Sequence, residues 1–413
     1  MNHPKLMKAN SSTLRGLTVA VLGFNARPIA CSATRAGARV IVSDYWGDED
    51  LEACASKWTA VLEAIPGKRQ RAPLQKRVHA SLVENLLESI DNEEIDHLFV
   101  GSGFDDNTKS LAELEKKMPI TGNSTAQMQR ARNRTAVEKL AESYGLEIPM
   151  SHRARTLDEA YMRCDEVGYP CVIRPPSTGG GSGISLVMNP SQVEAACWRL
   201  EAEIEIPEVI VQQYISGVDG SACILSTGDK ATVLSVQGQL IGMPSAGRNC
   251  DFVYSGNYMP MRLPKNLKHL IIESSKSFGT DLHLSGTNGI DFVVDKKGRV
   301  WFLEINPRFQ GTLEMLERAS SISVTELHTD ACDGILPSEL PSFMPCMKLV
   351  IFARRSGSVP ALSKFNNTVD RTPQGVLVDR GDPVCTIIET SSSLKDCYSR
   401  VLSTSNGIQG EIA

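Results

Sequence analysis

Two short stretches of the chain carry side chains that can hold phosphate and a divalent cation. The first is Gly168-Tyr169-Pro170-Cys171-Val172-Ile173-Arg174-Pro175-Pro176-Ser177-Thr178-Gly179-Gly180-Gly181-Ser182-Gly183. A strand delivers the Arg174 cation, and four glycines within five positions then let backbone N–H groups curl around anionic oxygens. A Walker A loop is excluded, because that motif needs Gly-Lys-Ser/Thr opening a helix, whereas here the chain returns to a strand at Ile184-Ser185-Leu186. Standing alone, the loop has a blander alternative, a flexible hairpin tip, which is the weaker of the two readings.

The second stretch changes that balance. Residues 289–295 alternate as a strand and turn at Lys297-Gly298, and residues 300–306 return as its partner. Strand side chains repeat every two residues, so Glu304 and Asn306 share a face and Asp291 lies across the ladder from them. Two carboxylates and an amide oxygen are hard ligands, suited to Mg2+ or Mn2+ that also holds phosphate oxygens. Arg308 continues on that face, where its charge can meet a transferring phosphoryl group or an acyl phosphate. A lone Glu-x-Asn hairpin would read more simply as a solvated acidic surface.

These groups need a scaffold, and 413 residues exceed one hydrophobic core. Residues 17–22 form an apolar strand that stops at Gly23, residues 29–36 a helix that ends at Gly37, and residues 39–43 a second strand. That βαβ unit predicts a parallel sheet with a right-handed crossover. Its acidic end, Asp44, Asp48, Glu49 and Asp50, suggests a dinucleotide site, but only Gly23 of the G-x-G-x-x-G fingerprint is present. Arg27, in the turn after the first strand, is a candidate contact for a substrate anion, and Pro28 suits a helix start. A helix at 83–90 and a strand at 97–100 continue the pattern to Gly101-Ser102-Gly103.

Asn123-Ser124 caps two short helices and marks a boundary. A helix at 157–167 and strands at 171–174 and 185–188 follow, then short strands from 209 to 306. Strands resume at 347, and a helix ends near 402. The expected class is mixed α/β and α+β in several domains. Residues 1–15 are expected to be a disordered start, 16–122 a Rossmann-like domain, 123–208 linker helices and a glycine-lid subdomain, 209–335 a lobe with the metal site, and 336–413 a small mixed region.

Composition narrows the function classes. Apolar residues make up 41% and charged residues 22%, and the net charge of −5 argues against a nucleic-acid surface. The run Lys68, Arg69, Arg71, Lys76, Arg77 is short enough to be a solvated loop. No stretch approaches the ~18 apolar residues of a membrane span. Eleven cysteines occur singly with no C-x-x-C, which predicts reduced thiols and a soluble cytoplasmic protein. A homodimer is expected on general grounds.

Taken together and in this order, these residues resemble the ATP-grasp superfamily, which includes biotin carboxylase, carbamoyl-phosphate synthetase and carboxylate–amine ligases. The resemblance implies a Rossmann-like domain preceding an ATP-grasp fold, with ATP and Mg2+ as cofactors. Residues 168–183 match the family's strand and glycine-rich lid, with Arg174, Ser177, Thr178, Gly179, Gly180, Gly181 and Gly183 around the phosphates. Gln212, Gln213, Tyr214 and Ile215 match the hinge strand that holds adenine, and Asp219 the residue that meets ribose. Asp291, Glu304, Asn306 and Arg308 fall on the metal and phosphate positions.

Three departures qualify this. Arg174 and Arg134 stand where lysines are usual, which keeps the charge but makes the donors forked. Gln213 replaces the hinge carboxylate and leaves an amide oxygen as acceptor. Thr312 stands where biotin carboxylase has the glutamate that activates bicarbonate, and Glu314 lies in another register. The resemblance therefore implies an ADP-forming carbon–nitrogen ligase acting on small-molecule carboxylate and amine substrates, with Arg308 and Arg174 as catalytic cations. A bicarbonate-using carboligase is the runner-up and a non-catalytic ATP sensor the rival from another class. A dehydrogenase-like scaffold is the weakest alternative.

Overall fold

The computed structural model describes residues 13–70, 78–177, 179–203, 208–247 and 252–413. The first unit is a four-stranded parallel sheet in the order Lys57–Ala60, Arg39–Asp44, Thr18–Gly23, His97–Val100. Val19 and Val21 pack into one core and Ala20 and Leu22 into another, so the strand is apolar throughout, as both faces of a covered parallel sheet require. Helix Arg27–Arg35 follows, with Pro28 in its first turn where no N–H is needed. Leu14 is fully buried, so the folded unit begins before residue 16. Most of the expected disordered start, and Arg71, Lys76 and Arg77 of the basic run, lie outside the described residues.

Ser124 and Gln127 form a capping box on helix Thr125–Ala131, and Asn133 caps helix Arg134–Ser143. A second sheet then runs in the order Ser151–Ala154, Val209–Gln213, Cys171–Arg174, Ser185–Val187. Strand Val209–Gln213 pairs with Cys171–Arg174, so it belongs to the lid subdomain and not to the lobe after residue 208. That pairing sets Ile210 opposite Arg174 and Gln213 opposite Cys171, and Gln212 lies within reach of Arg174.

The third sheet has eight antiparallel strands, in the order Val300–Asn306, Ser285–Asp295, Gly217–Thr227, Ala231–Ile241, Tyr254–Met259, Cys346–Phe352, Pro383–Thr390, Thr368–Val369. The region after residue 336 is thus no separate unit, since its strands extend the same sheet through Cys346–Phe352. Helix Lys265–Asp281, unforeseen among the strands, packs on this sheet through Ile271 and Phe278. Small residues break its apolar stripe for a reason. A Cβ on Gly279 would lie 2.6 Å from the Ser226 hydroxyl, so close approach of the helix to the sheet needs glycine there. The last helix, Leu394–Glu411, runs well past residue 402, because buried Ser405 and Ile408 pack against the sheet and override a Ser/Asn/Gly stretch that locally favours a break.

Two cysteines depart from the expected reduced state, since Cys31 and Cys54 form a disulfide between helix Arg27–Arg35 and the turn at Glu49–Cys54. Among the described residues no helix is long and apolar enough to cross a membrane.

Candidate active site

A cavity of about 1190 Å3 opens among the three sheets. One wall is cationic. Arg174 ends its strand, donates from Nε to Gln212 Oε1 at 2.9 Å and from Nη1 to the Pro175 carbonyl at 3.1 Å, and faces Arg134 at the start of its helix. Burial, and then repulsion from the Arg134 guanidinium, push the Arg174 pKa down to about 10. Two crowded guanidinium groups on a cavity wall make an anion site, since an anion between them relieves both effects.

The opposite wall is anionic. Asp291 pairs with Glu304 across the ladder, as the two-residue period required. The Asp291 carboxylate accepts from Gln239 Nε2 and from Asn306 Nδ2, each at 2.9 Å. Burial and then the Glu304 charge raise the Asp291 pKa to about 7. A divalent cation would relieve that crowding, and the donors are the hard oxygens that magnesium favours. Asn306 points its NH2 at Asp291 and gives its oxygen to Arg308 Nη2 at 3.1 Å, so it can join a shared cation only with its amide turned over. Among the described residues no three Asp, Glu, His or Cys side chains converge as a metal cage. Phosphate oxygens and water would therefore have to complete the coordination.

The cavity wall includes Gly179, Gly180, Gly181, Gln212, Gln213, Tyr214, Ile215 and Asp219 together with Arg134, Arg174, Asp291, Glu304, Asn306 and Arg308. Gln213 Oε1, the expected acceptor for an adenine amino group, also accepts from the Met150 N–H at 3.3 Å. Burial raises the Asp219 pKa to about 6. Ser177 lies at the rim and donates to Asp106 at 2.8 Å, and Gly183 packs beneath the loop against Pro175 and Leu200. Thr178 lies outside the described residues.

The glycine loop is closed over the cavity. The Tyr254 N–H donates to the Gly180 carbonyl at 3.0 Å. Gly181 has a φ of 80°, and a Cβ there would stand 1.8 Å from the Phe252 carbonyl oxygen. A side chain in the left-handed region costs about 1–2 kcal/mol before that clash is counted. Gly181→Ala is therefore expected to raise the KM for ATP about tenfold or more and to expose the loop to limited proteolysis. Unchanged values on both readouts would show that the closed loop plays no part in binding.

Arg27 must be corrected. It is 2% exposed and does not line the cavity. Its Nε donates to Asp370 at 2.7 Å and stands 3.4 Å from Asp50, and its Nη2 meets Glu314 at 2.5 Å. With Nε and Nη2 held by carboxylates and Nη1 turned to Cys31 Sγ at 3.6 Å, the buried guanidinium does not present a donor to the cavity.

Other groups escaped the sequence reading. Arg132 forks onto Asp106 at 2.6 and 2.7 Å and reaches Glu304 at 3.1 Å, while Arg308 Nε donates to Asp105 at 2.7 Å. A signal existed, because Asp105-Asp106 follow the Gly101-Ser102-Gly103 turn at a strand carboxyl end, where ligands favour open α/β sheets.

Residues 131–312 match the family model of the ATP-grasp domain. That stretch is an ATP-grasp domain. An uncharacterized protein of Methanocaldococcus jannaschii is 26% identical over 383 residues, which span 90% of this chain and 88% of that one. Among solved structures, biotin carboxylase from Campylobacter jejuni superposes with a TM-score of 0.72 at 16% identity, covering 95% of this chain and 94% of its own. An N5-carboxyaminoimidazole ribonucleotide synthetase in complex with ADP gives 0.71 at 15%, covering 97% and 100%. L-amino acid ligase from Bacillus licheniformis gives 0.69 at 16%, covering 96% and 98%. At such identities these three establish a shared fold over nearly the whole chain.

Proposed function

We propose that this protein is an ATP- and magnesium-dependent ligase that activates a carboxylate for attack by an amine. The observation that carries the reading is the pair of opposed walls: Arg134 and Arg174 repel each other on one side, Asp291 and Glu304 on the other. A magnesium–triphosphate placed between them would relieve the repulsion on each side, beyond what Glu138 does for Arg134 and Arg132 does for Glu304. Asp291 and Glu304 would hold the cation, which would neutralise charge on the phosphates. Arg308 faces the γ-phosphoryl group as it passes from ATP to a carboxylate oxygen, giving ADP and an acyl phosphate. The amine then bonds to the acyl carbon, and inorganic phosphate leaves as the amide forms. Positioning and electrostatics supply most of the rate in phosphoryl transfer, so no covalent side chain is needed. The closed glycine loop would keep water from the intermediate.

The names of the structural relatives cover both carboxylation and amino acid ligation, so the choice rests on this chain. Glu314, the nearest glutamate after Arg308, is held by Arg27 and by Arg318 Nη2 at 2.8 Å, which leaves it unsuited to activate bicarbonate. Thr312 offers only a hydroxyl. The test is ATP consumption with magnesium against pools of carboxylates, amines and bicarbonate, read by mass spectrometry. ADP with an amide product is expected, reduced at least about 100-fold in Glu304→Ala. Carboxylation with bicarbonate alone would establish the carboligase instead, and ATP binding without turnover would leave a sensor.

A further inference from the structure

The acidic segment Asp44-Tyr45-Trp46-Gly47-Asp48-Glu49-Asp50 has no part in the chemistry above, yet Trp46 and Asp48 line the far end of the same cavity. Its carboxylates have different fates. Asp44 accepts from the N–H groups of Ala26, Trp46 and Gly47 at 2.7–2.8 Å and closes the strand-end turn. Asp50 accepts from the N–H groups of Asp370 and Arg371 at 3.2 and 2.8 Å. Asp48 is 7% exposed, and while its backbone carbonyl accepts from the Leu51 N–H at 3.0 Å, its carboxylate makes no hydrogen bond or ion pair with any described residue.

Its surroundings make that isolation informative. Burial, and then the charge of Asp370 on the same wall, hold the Asp48 carboxyl well above its ordinary pKa. Among the described residues, Arg27 is committed to its three carboxylates, Lys348 Nζ donates to the Gly311 carbonyl at 2.6 Å, and Arg371 donates from Nη1 to the Thr368 carbonyl at 3.2 Å and forms no ion pair with Asp48. Asn25 Oδ1, from another cavity-lining residue, is buried without a donor. Buried polar groups are paired in folded proteins, and an unpaired one in a cavity points to a ligand that completes it. Among the described residues, what the Asp48 carboxylate lacks is a positively charged N–H donor. A carboxylate placed there would be repelled.

We propose that this end of the cavity is the subsite for a substrate bearing a primary ammonium group, with Asp48 as its counter-ion and Asn25 Oδ1 as a second acceptor. The half-buried Trp46 ring supplies a wall that suits an ammonium. That this substrate is the amine partner rests on the ligase reading, but its binding can be measured without turnover.

The experiment is calorimetric titration of the full chain with butylamine, 1,4-diaminobutane and lysine, using 1-butanol and butyrate as neutral and anionic controls and ATP–magnesium as a separate titrant. At least one amine is expected to bind, neither control should, and Asp48→Asn should weaken the amine at least tenfold while leaving ATP affinity unchanged. The same variant replaces an unpaired buried charge by an amide of equal shape, so its unliganded melting temperature should rise by about 1–2 °C. Failure of every amine to bind, preference for butyrate, unaltered amine affinity in Asp48→Asn, or a fall in its melting temperature would each overturn the proposal. Loss of ATP binding in the unaltered chain would sink the ligase reading and leave the amine measurement to stand or fall by itself.

Discussion

Arg308→Met is expected to lower ADP formation about 1000-fold while leaving the KM for ATP within about twofold. The guanidinium lies beside the Asp291–Asn306 pair, with one nitrogen on Asn306 Oδ1, where negative charge would develop on the transferring phosphoryl group. A preoriented cation there acts mainly in the transition state, so the loss should fall on kcat. Methionine keeps the apolar stem and removes the charge together with the N–H donors to Asp105, the Phe309 carbonyl and Asn306. The substitution also strands Asp105, whose Oδ1 is already buried without a partner, and breaking such a pair costs about 3–5 kcal/mol. The two effects separate in the double variant Arg308→Met/Asp105→Asn, which should regain most of the lost stability and none of the rate. If the double variant turned over ATP normally, Arg308 would be a structural partner of Asp105 and the assigned role would fail.

The reach of the sequence follows from the range of the interactions involved. The Asp291, Glu304 and Asn306 face was legible because two-residue periodicity and one short turn fix it within about fifteen residues. The same holds for the first βαβ unit, whose strand and helix lengths are set by Gly23 and Gly37. Arg132 was not legible as a partner of Glu304, because 172 residues separate them and only the packing of helix Thr125–Ala131 beneath the hairpin brings them together. Sheet membership failed for a related reason. Nothing local to Val209–Gln213 says whether it pairs forward into the lobe or back to Cys171–Arg174, and nothing local to Cys346–Phe352 says that it continues an existing sheet. Helix Lys265–Asp281 was hidden by the small residues that let it pack closely.

Arg27 shows how far long-range pairing can redirect a local reading, and its replacement should produce the largest loss of stability. Arg27→Met would leave Asp50, Glu314 and Asp370 together without their shared cation, at a cost of about 3–5 kcal/mol. These partners come from the first domain, from helix Leu313–Ala319, which packs on strand Cys346–Phe352, and from the C-terminal region, so urea unfolding should begin earlier across all three. Acid supplies the second readout. Burial opposes ionisation of Asp370, but Arg27 above all draws its pKa down to about 2, and Glu314 is held below its ordinary value for the same reason. Carboxylates depressed in the fold contribute stability that is present above the unfolded pKa of about 4 and is lost as pH falls toward 2. Without Arg27 that contribution disappears, so the gap between the two proteins should be widest near neutrality and narrow between pH 4 and 2. A substrate-anion contact would behave differently: kcat/KM would fall while the urea midpoint and its pH dependence stayed where they were, and that result would restore Arg27 to the binding site.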